Sequence, residues 1–165
     1  MDLYGPMPSS NHVVVVTDLA SRYPAAKLVK STKADHVVPA LGDIYDIYGN
    51  PVTQISDNGA PFNNGKMPTF AANREIDLRK NPPLHPSSNP AETFMRPLGK
   101  GIKIAKSLGV PEKQALRDVI NSYRQMPHPS TGIPPAAMMF REGVRGEFVD
   151  EKLLIVKLLW PRSVI

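Results

Sequence analysis

The chain is expected to fold as a mixed α/β domain, a mixed sheet flanked by helices. Three observations point there. Strand signals cluster before residue 31, helical and strand patterns alternate from residue 32 to residue 107, and 41% hydrophobic residues over a length of 165 suffice for one core.

The elements follow in order. A short strand is expected around Asp2. His12 to Thr17 is a β-branched run and Ala25 to Lys30 alternates more loosely, with the polar turn Asp18-Leu19-Ala20-Ser21-Arg22 joining them as a hairpin. Thr32 with Asp35 resembles a capping box, and Val37, Val38, Leu41, Ile44, Tyr45 and Tyr48 then recur at helical spacing, with a kink expected at Pro39. Pro51 to Ser56 reads as a short buried strand, Lys66 to Arg74 as a helix, Ile76 to Lys80 as a strand and Asn81 to Ser88 as a proline-rich loop. Asn89 is placed to cap a helix whose first position is Pro90, where a missing N–H costs nothing. Within that helix Phe94, Leu98, Ile102 and Ala105 make an apolar stripe, while Glu92, Arg96, Lys103 and Lys106 fall opposite, with Lys100 beside them. Pro97 should bend it. Pro111 begins a further helix with Ala115, Leu116, Val119, Ile120 and Tyr123 inward, and Pro135 to Arg141 forms a short last one.

Composition narrows the classes of partner. The net charge is +5, and residues 92–125 hold seven cations (Arg96, Lys100, Lys103, Lys106, Lys113, Arg117, Arg124) against three acids (Glu92, Glu112, Asp118), which points to a polyanion. With no cysteine there is neither a disulfide framework nor a cysteine-bearing zinc site, and an intracellular address is expected. The most apolar window, Leu153 to Trp160, is far shorter than the roughly 20 residues a membrane span needs, so no membrane role is expected. The 18 prolines are spread through turns and helix starts.

Asp57, in Ser-Asp-Asn-Gly, taken alone is an ordinary turn residue bonding its own backbone. Glu92, three residues after Asn89, taken alone is the partner in a capping box. Asp18 reads as a structural hairpin acid, and His12, His36 and His128 as surface or packing residues. An ordinary solvated helix face competes with DNA contact for the lysine row.

The ordered blocks change that balance. Asp2-Leu3-Tyr4-Gly5-Pro6, Val15-Val16-Thr17-Asp18-Leu19-Ala20-Ser21-Arg22-Tyr23-Pro24, Ser56-Asp57-Asn58-Gly59-Ala60-Pro61-Phe62-Asn63, His85-Pro86-Ser87-Ser88-Asn89-Pro90-Ala91-Glu92 and Asn121-Ser122-Tyr123-Arg124 through Pro127-His128 to Thr131-Gly132 together resemble the integrase catalytic cores of Ty3/gypsy-type retroelements, within the retroviral integrase superfamily. The resemblance runs from residue 2 to about 148. It implies an RNase H-like fold with a five-stranded mixed sheet, here with a shortened first strand because only Met1 precedes Asp2. It divides the chain into an amino-terminally truncated core, 1–148, and an unmatched tail, 149–165, and suggests a piece of a larger polyprotein product.

The same resemblance implies a DNA-integrating polynucleotidyl transferase and endonuclease, processing DNA ends and transferring strands. Asp2, Asp57 and Glu92 map onto its catalytic, metal-holding carboxylates. Displacement at phosphorus meets a centre ringed by negative oxygens, and two Mg²⁺ (or Mn²⁺) ions about 3.5–4 Å apart can position and neutralise it. Hard cations of this kind take oxygen ligands. Asn58 and Asn89 are expected as polar nucleic-acid contacts, and Arg96, Lys100, Lys103 and Lys106 as phosphate contacts. DNA is the expected partner, a homo-oligomer (dimer or higher) the expected assembly, the nucleus the expected place of action, and no small-molecule cofactor is required. The rival reading is a catalytically silent, domesticated or decaying core that binds nucleic acid or dimerises.

Overall fold

The computed structural model describes residues 1–56, 59, 62, 65–80 and 90–140, with residues 90–92 described by their backbone alone. The chain is α/β, with the order β1 (Asp2–Tyr4), β2 (His12–Thr17), β3 (Pro24–Val29), α1 (Ala34–Tyr48), β4 (Thr53–Ser56), α2 (Lys66–Asn73), β5 (Asp77–Lys80), α3 (Pro90–Ser107), α4 (Glu112–Gln125) and α5 (Pro135–Phe140). β1, β2 and β3 form an antiparallel meander in that order, and β4 pairs with β5 in parallel. A further bond joins the two sets: the Met1 amine donates to the Ile55 carbonyl at 2.6 Å, tying the start of β1 to β4.

The four-valine run of β2 is buried on both faces, as expected of a strand with helices on either side. Val14 and Val16 pack with Val37, Leu41, Ile44 and Tyr45 of α1 and Met67 and Ala71 of α2. Val13 and Val15 pack on the other side with Phe94, Leu98 and Ile102 of α3 and Ala115, Leu116 and Ile120 of α4. Period-two alternation thus sorts one strand between two cores. Burying Phe94, Leu98 and Ile102 stabilises the α3 contact by about 1.5–3 kcal/mol each.

The hairpin is held as the sequence suggests: Asp18 Oδ2 accepts from the Ser21 backbone N–H at 2.7 Å and from Ser21 Oγ at 2.5 Å. The capping box does not form. The helix starts at Ala34 with Lys33 as its N-cap and no side-chain cap bond, so Thr32 lies one residue out of register. The Asp35 carboxylate instead pairs with Lys66 across the α1–α2 contact, and that partner holds its carboxyl below the usual carboxylate range. α1 runs through Pro39 as one element. The Asn81 to Ser88 loop, the Asn89 cap, Arg141 and the 149–165 tail lie outside the described residues.

Candidate functional site

β1 is short but anchored. Met1 is buried on the α1 side of the sheet, Leu3 packs against the same side, and Asp2 and Tyr4 alternate away from it. The register confirms the alternation, because Asp2 sits opposite Val15 and Tyr4 opposite Val13, and both valines belong to the core under α3 and α4. Asp2 therefore belongs to the face of the sheet that α3 covers. It is partly buried, and its Oδ1 accepts the Leu3 N–H at 2.7 Å.

β4 lies beside this point. Its Gln54, buried at 1% exposure, faces α1, where the Tyr45 hydroxyl donates to Gln54 Oε1 at 2.5 Å. Burial pushes the Tyr45 phenol up. Ile55 points its carbonyl to Met1. Asp57 and Asn58 come directly after Ser56, the last residue of β4, and lie outside the described residues.

α3 supplies the third part. Position 92 is in its first turn, described by backbone alone. Gly99 rests on β1: a Cβ there would meet Tyr4 Oη at 3.2 Å and Cε2 at 3.4 Å. Position 92 precedes Gly99 by seven residues, about 10.5 Å earlier along the axis. The Phe94, Leu98 and Ile102 stripe is buried, and Arg96, Lys100, Lys103 and Lys106 are exposed. The ion pairs present are Lys27–Asp43, Lys66–Asp35, Arg74–Asp46 and Arg79–Asp77, so among the described residues no acid neutralises the α3 cations.

Asp2 is thus brought beside β4, on the face that α3 covers. Asn89 and Asn58 lie outside the described residues, and among those described no three His, Asp or Glu side chains gather around one point. The donor chemistry of Asp2, Asp57 and Glu92 suits a hard divalent ion, being oxygen only. A surface groove lined by Val38, Lys66, Thr69, Phe70 and Asn73 lies between α1 and α2, away from Asp2. Tyr4, which the sequence suggests is no stacking platform, lies against Gly99 of α3.

No family model matches the chain. Over 147 residues it is 31% identical to the "Uncharacterized protein K02A2.6" of Caenorhabditis elegans, a match covering 88% of this chain and 12% of that protein. Over 92 residues it is 33% identical to the Pro-Pol polyprotein of simian foamy virus type 3 (strain LK3), covering 54% of this chain and 8% of the polyprotein. The catalytic core domain of BIV integrase superposes with a TM-score of 0.69 at 16% identity, covering 85% of this chain and 92% of that one. In sequence the chain is similar to a retroviral polyprotein, and its fold is that of integrase catalytic cores. A chain of the simian T-cell lymphotropic virus intasome in complex with PP2A regulatory subunit B56 gamma also superposes, with a TM-score of 0.72 at 15% identity, over 85% of this chain and 52% of that one. The integrase-type core accounts for the α/β architecture, which is RNase H-like. The chain spans about a tenth of the length of the curated relatives it matches.

Proposed function

We propose that this integrase core is a Mg²⁺-dependent polynucleotidyl transferase and endonuclease of a Ty3/gypsy-type element, processing DNA ends and joining them to target DNA in the nucleus, with Asp2, Asp57 and Glu92 as its metal ligands. The observation that carries this reading is the Met1–Ile55 bond, which sets the strand of Asp2 against the strand that runs into Asp57. The reading takes that bond as a first rung between the three-stranded and two-stranded sets, which would make β1 and β4 the inner neighbours of a five-stranded sheet. In this reading Asp57, which follows Ser56 in sequence, is the second carboxylate. In this reading Glu92, in the first turn of α3, is the third carboxylate.

Two divalent ions, when bound, would supply charge neutralisation and a nucleophile activated near neutral pH. The chain's own work is to hold the carboxylates in place, to keep the α1 side of the strands dry, and to grip DNA. Arg96, Lys100, Lys103 and Lys106 are suited to hold phosphates, and Asn58 and Asn89 to contact the strand near the carboxylates. The active assembly is a dimer or a larger homo-oligomer. One observation favours the silent alternative: Asp2 already spends Oδ1 on the Leu3 amide, a bond the ion must displace or share.

Thermal titration with Mg²⁺ and a branched-DNA disintegration assay test the reading together. The wild-type chain should gain stability with millimolar Mg²⁺ and form product, and Asp57→Asn should do neither. A wild-type chain that responds to Mg²⁺ no more than Asp57→Asn contradicts the metal reading. Metal binding without product supports the silent alternative.

A further inference from the structure

Two glycines in the middle of α3 have no conformational reason to be there. The positive-φ glycines are Gly5, Gly49, Gly109 and Gly132, so Gly99 and Gly101 have the ordinary negative φ of their helix. In such a position glycine costs about 1 kcal/mol relative to alanine. What both positions need is the missing side chain. A Cβ at Gly101 would fall 2.2 Å from Val119 Cγ2 of α4, and a Cβ at Gly99 would fall 3.2 Å from Tyr4 Oη, 3.4 Å from Cε2 and 3.6 Å from Cζ. The two positions point about 200° apart. α3 is therefore wedged between β1 and α4, each touching it at a residue without a side chain. Pressed by Val119 from behind, it cannot retreat if something is added in front.

The helix held this way carries Glu92, and the strand it is held against carries Asp2. Tyr4 stands two residues from Asp2 on the same face, so its ring fills the gap between the two elements beside the carboxylate. We propose that Tyr4 and Gly99 are a matched pair setting how closely the Glu92 helix approaches the Asp2 strand, and so are positioning residues for the ion site. This inference rests on the metal reading above. It assigns Tyr4 a role as a spacer of defined thickness, which a larger residue at 99 would exceed.

The test measures, for each variant, the Mg²⁺ concentration at half of the full thermal stabilisation, together with turnover and KM on branched DNA. Gly99→Leu should raise the Mg²⁺ midpoint and lower turnover about a hundredfold, the scale expected for a displacement near 1 Å, without a matching rise in KM. Tyr4→Ala combined with Gly99→Leu, which vacates the ring's space for the new side chain, should return the midpoint towards the wild-type value. Val37→Ala, in the core on the other face of the sheet, should lower the melting temperature and leave the Mg²⁺ midpoint unchanged. If Gly99→Leu does not fold, Gly99→Ala carries the same test on a smaller scale, since its 3.2 Å contact asks the ring to give by only a few tenths of an ångström. A Gly99 variant with an unchanged midpoint, or a double variant no better than the single one, overturns the spacer role while leaving the metal reading intact. A wild-type chain without any Mg²⁺ response overturns the metal reading, and the spacer role with it.

Discussion

Replacing Tyr45 by phenylalanine isolates one buried hydrogen bond that holds β4 to α1. The Tyr45 side chain is 2% exposed and Gln54 is 1% exposed, and the phenol donates to Gln54 Oε1 at 2.5 Å. Among the described residues Gln54 Nε2 reaches the Met67 sulfur, at 3.9 Å, a weak acceptor. Phenylalanine fills nearly the same volume, so the packing loss is small and the main cost is a buried amide oxygen left without its donor. That costs about 1–3 kcal/mol. For a chain of this length each kcal/mol moves the melting temperature by about 2–4 °C, so the drop should be on the order of 2–12 °C. Urea denaturation should show a lower midpoint with an unchanged slope, because the surface exposed on unfolding does not change. Adding Gln54→Leu, which removes the orphaned acceptor as well, should recover most of the loss. A single variant as stable as the wild type, or a double variant that falls further, would refute this view of the core.

Other consequences concern the helices and the charge. Gly101→Ala sets about 1 kcal/mol of helix propensity gained against an overpacking cost of about 1–3 kcal/mol from a contact at 2.2 Å, so it should be neutral to destabilising in urea, and Val119→Ala should relieve the clash. Replacing Arg96, Lys100, Lys103 and Lys106 together by alanine should weaken DNA binding and make the slope of log K against log salt shallower by about 3.6, at about 0.9 per lost phosphate contact, as read by fluorescence anisotropy over a salt series. His128, 8% exposed beside Tyr123, has its pKa lowered by burial and then by the charge of Arg22. Its charged form is disfavoured in the fold, so the stability it contributes is present above its ordinary value of 6.5 and is lost as pH falls from there through the lowered folded value. Urea midpoints between pH 7.5 and pH 5 should fall less steeply in His128→Gln than in the wild type.

Patterns with strong local causes were legible in the sequence. The Val13 to Val16 run marks a strand buried on both faces, the Phe94, Leu98 and Ile102 stripe marks the inward side of α3, and Asp18 closes its hairpin. Local rules failed where a distant partner offered more. Asp35 leaves the cap to meet Lys66, which is 31 residues away, and helix start signals cannot weigh such a contact. Long-range matching was likewise invisible at Gly99 and Gly101, because an interior helix glycine reads as a simple propensity penalty until Tyr4 and Val119 are brought against it. The short first strand was foreseen, but not its anchor, since the bond from Met1 to Ile55 spans 54 residues. Of the three proposed ligands, the structure describes the side chain of Asp2, and the ordered sequence blocks carry the case for Asp57 and Glu92.

The most direct measurement is a crystal structure of the chain grown with Mn²⁺, using anomalous scattering to locate the ions. Two peaks about 3.5–4 Å apart, with oxygen ligands from Asp2, Asp57 and Glu92 beneath the first turn of α3, are the predicted result. Mn²⁺ bound elsewhere, or a Glu92 carboxylate directed into solvent away from Asp2, would contradict it.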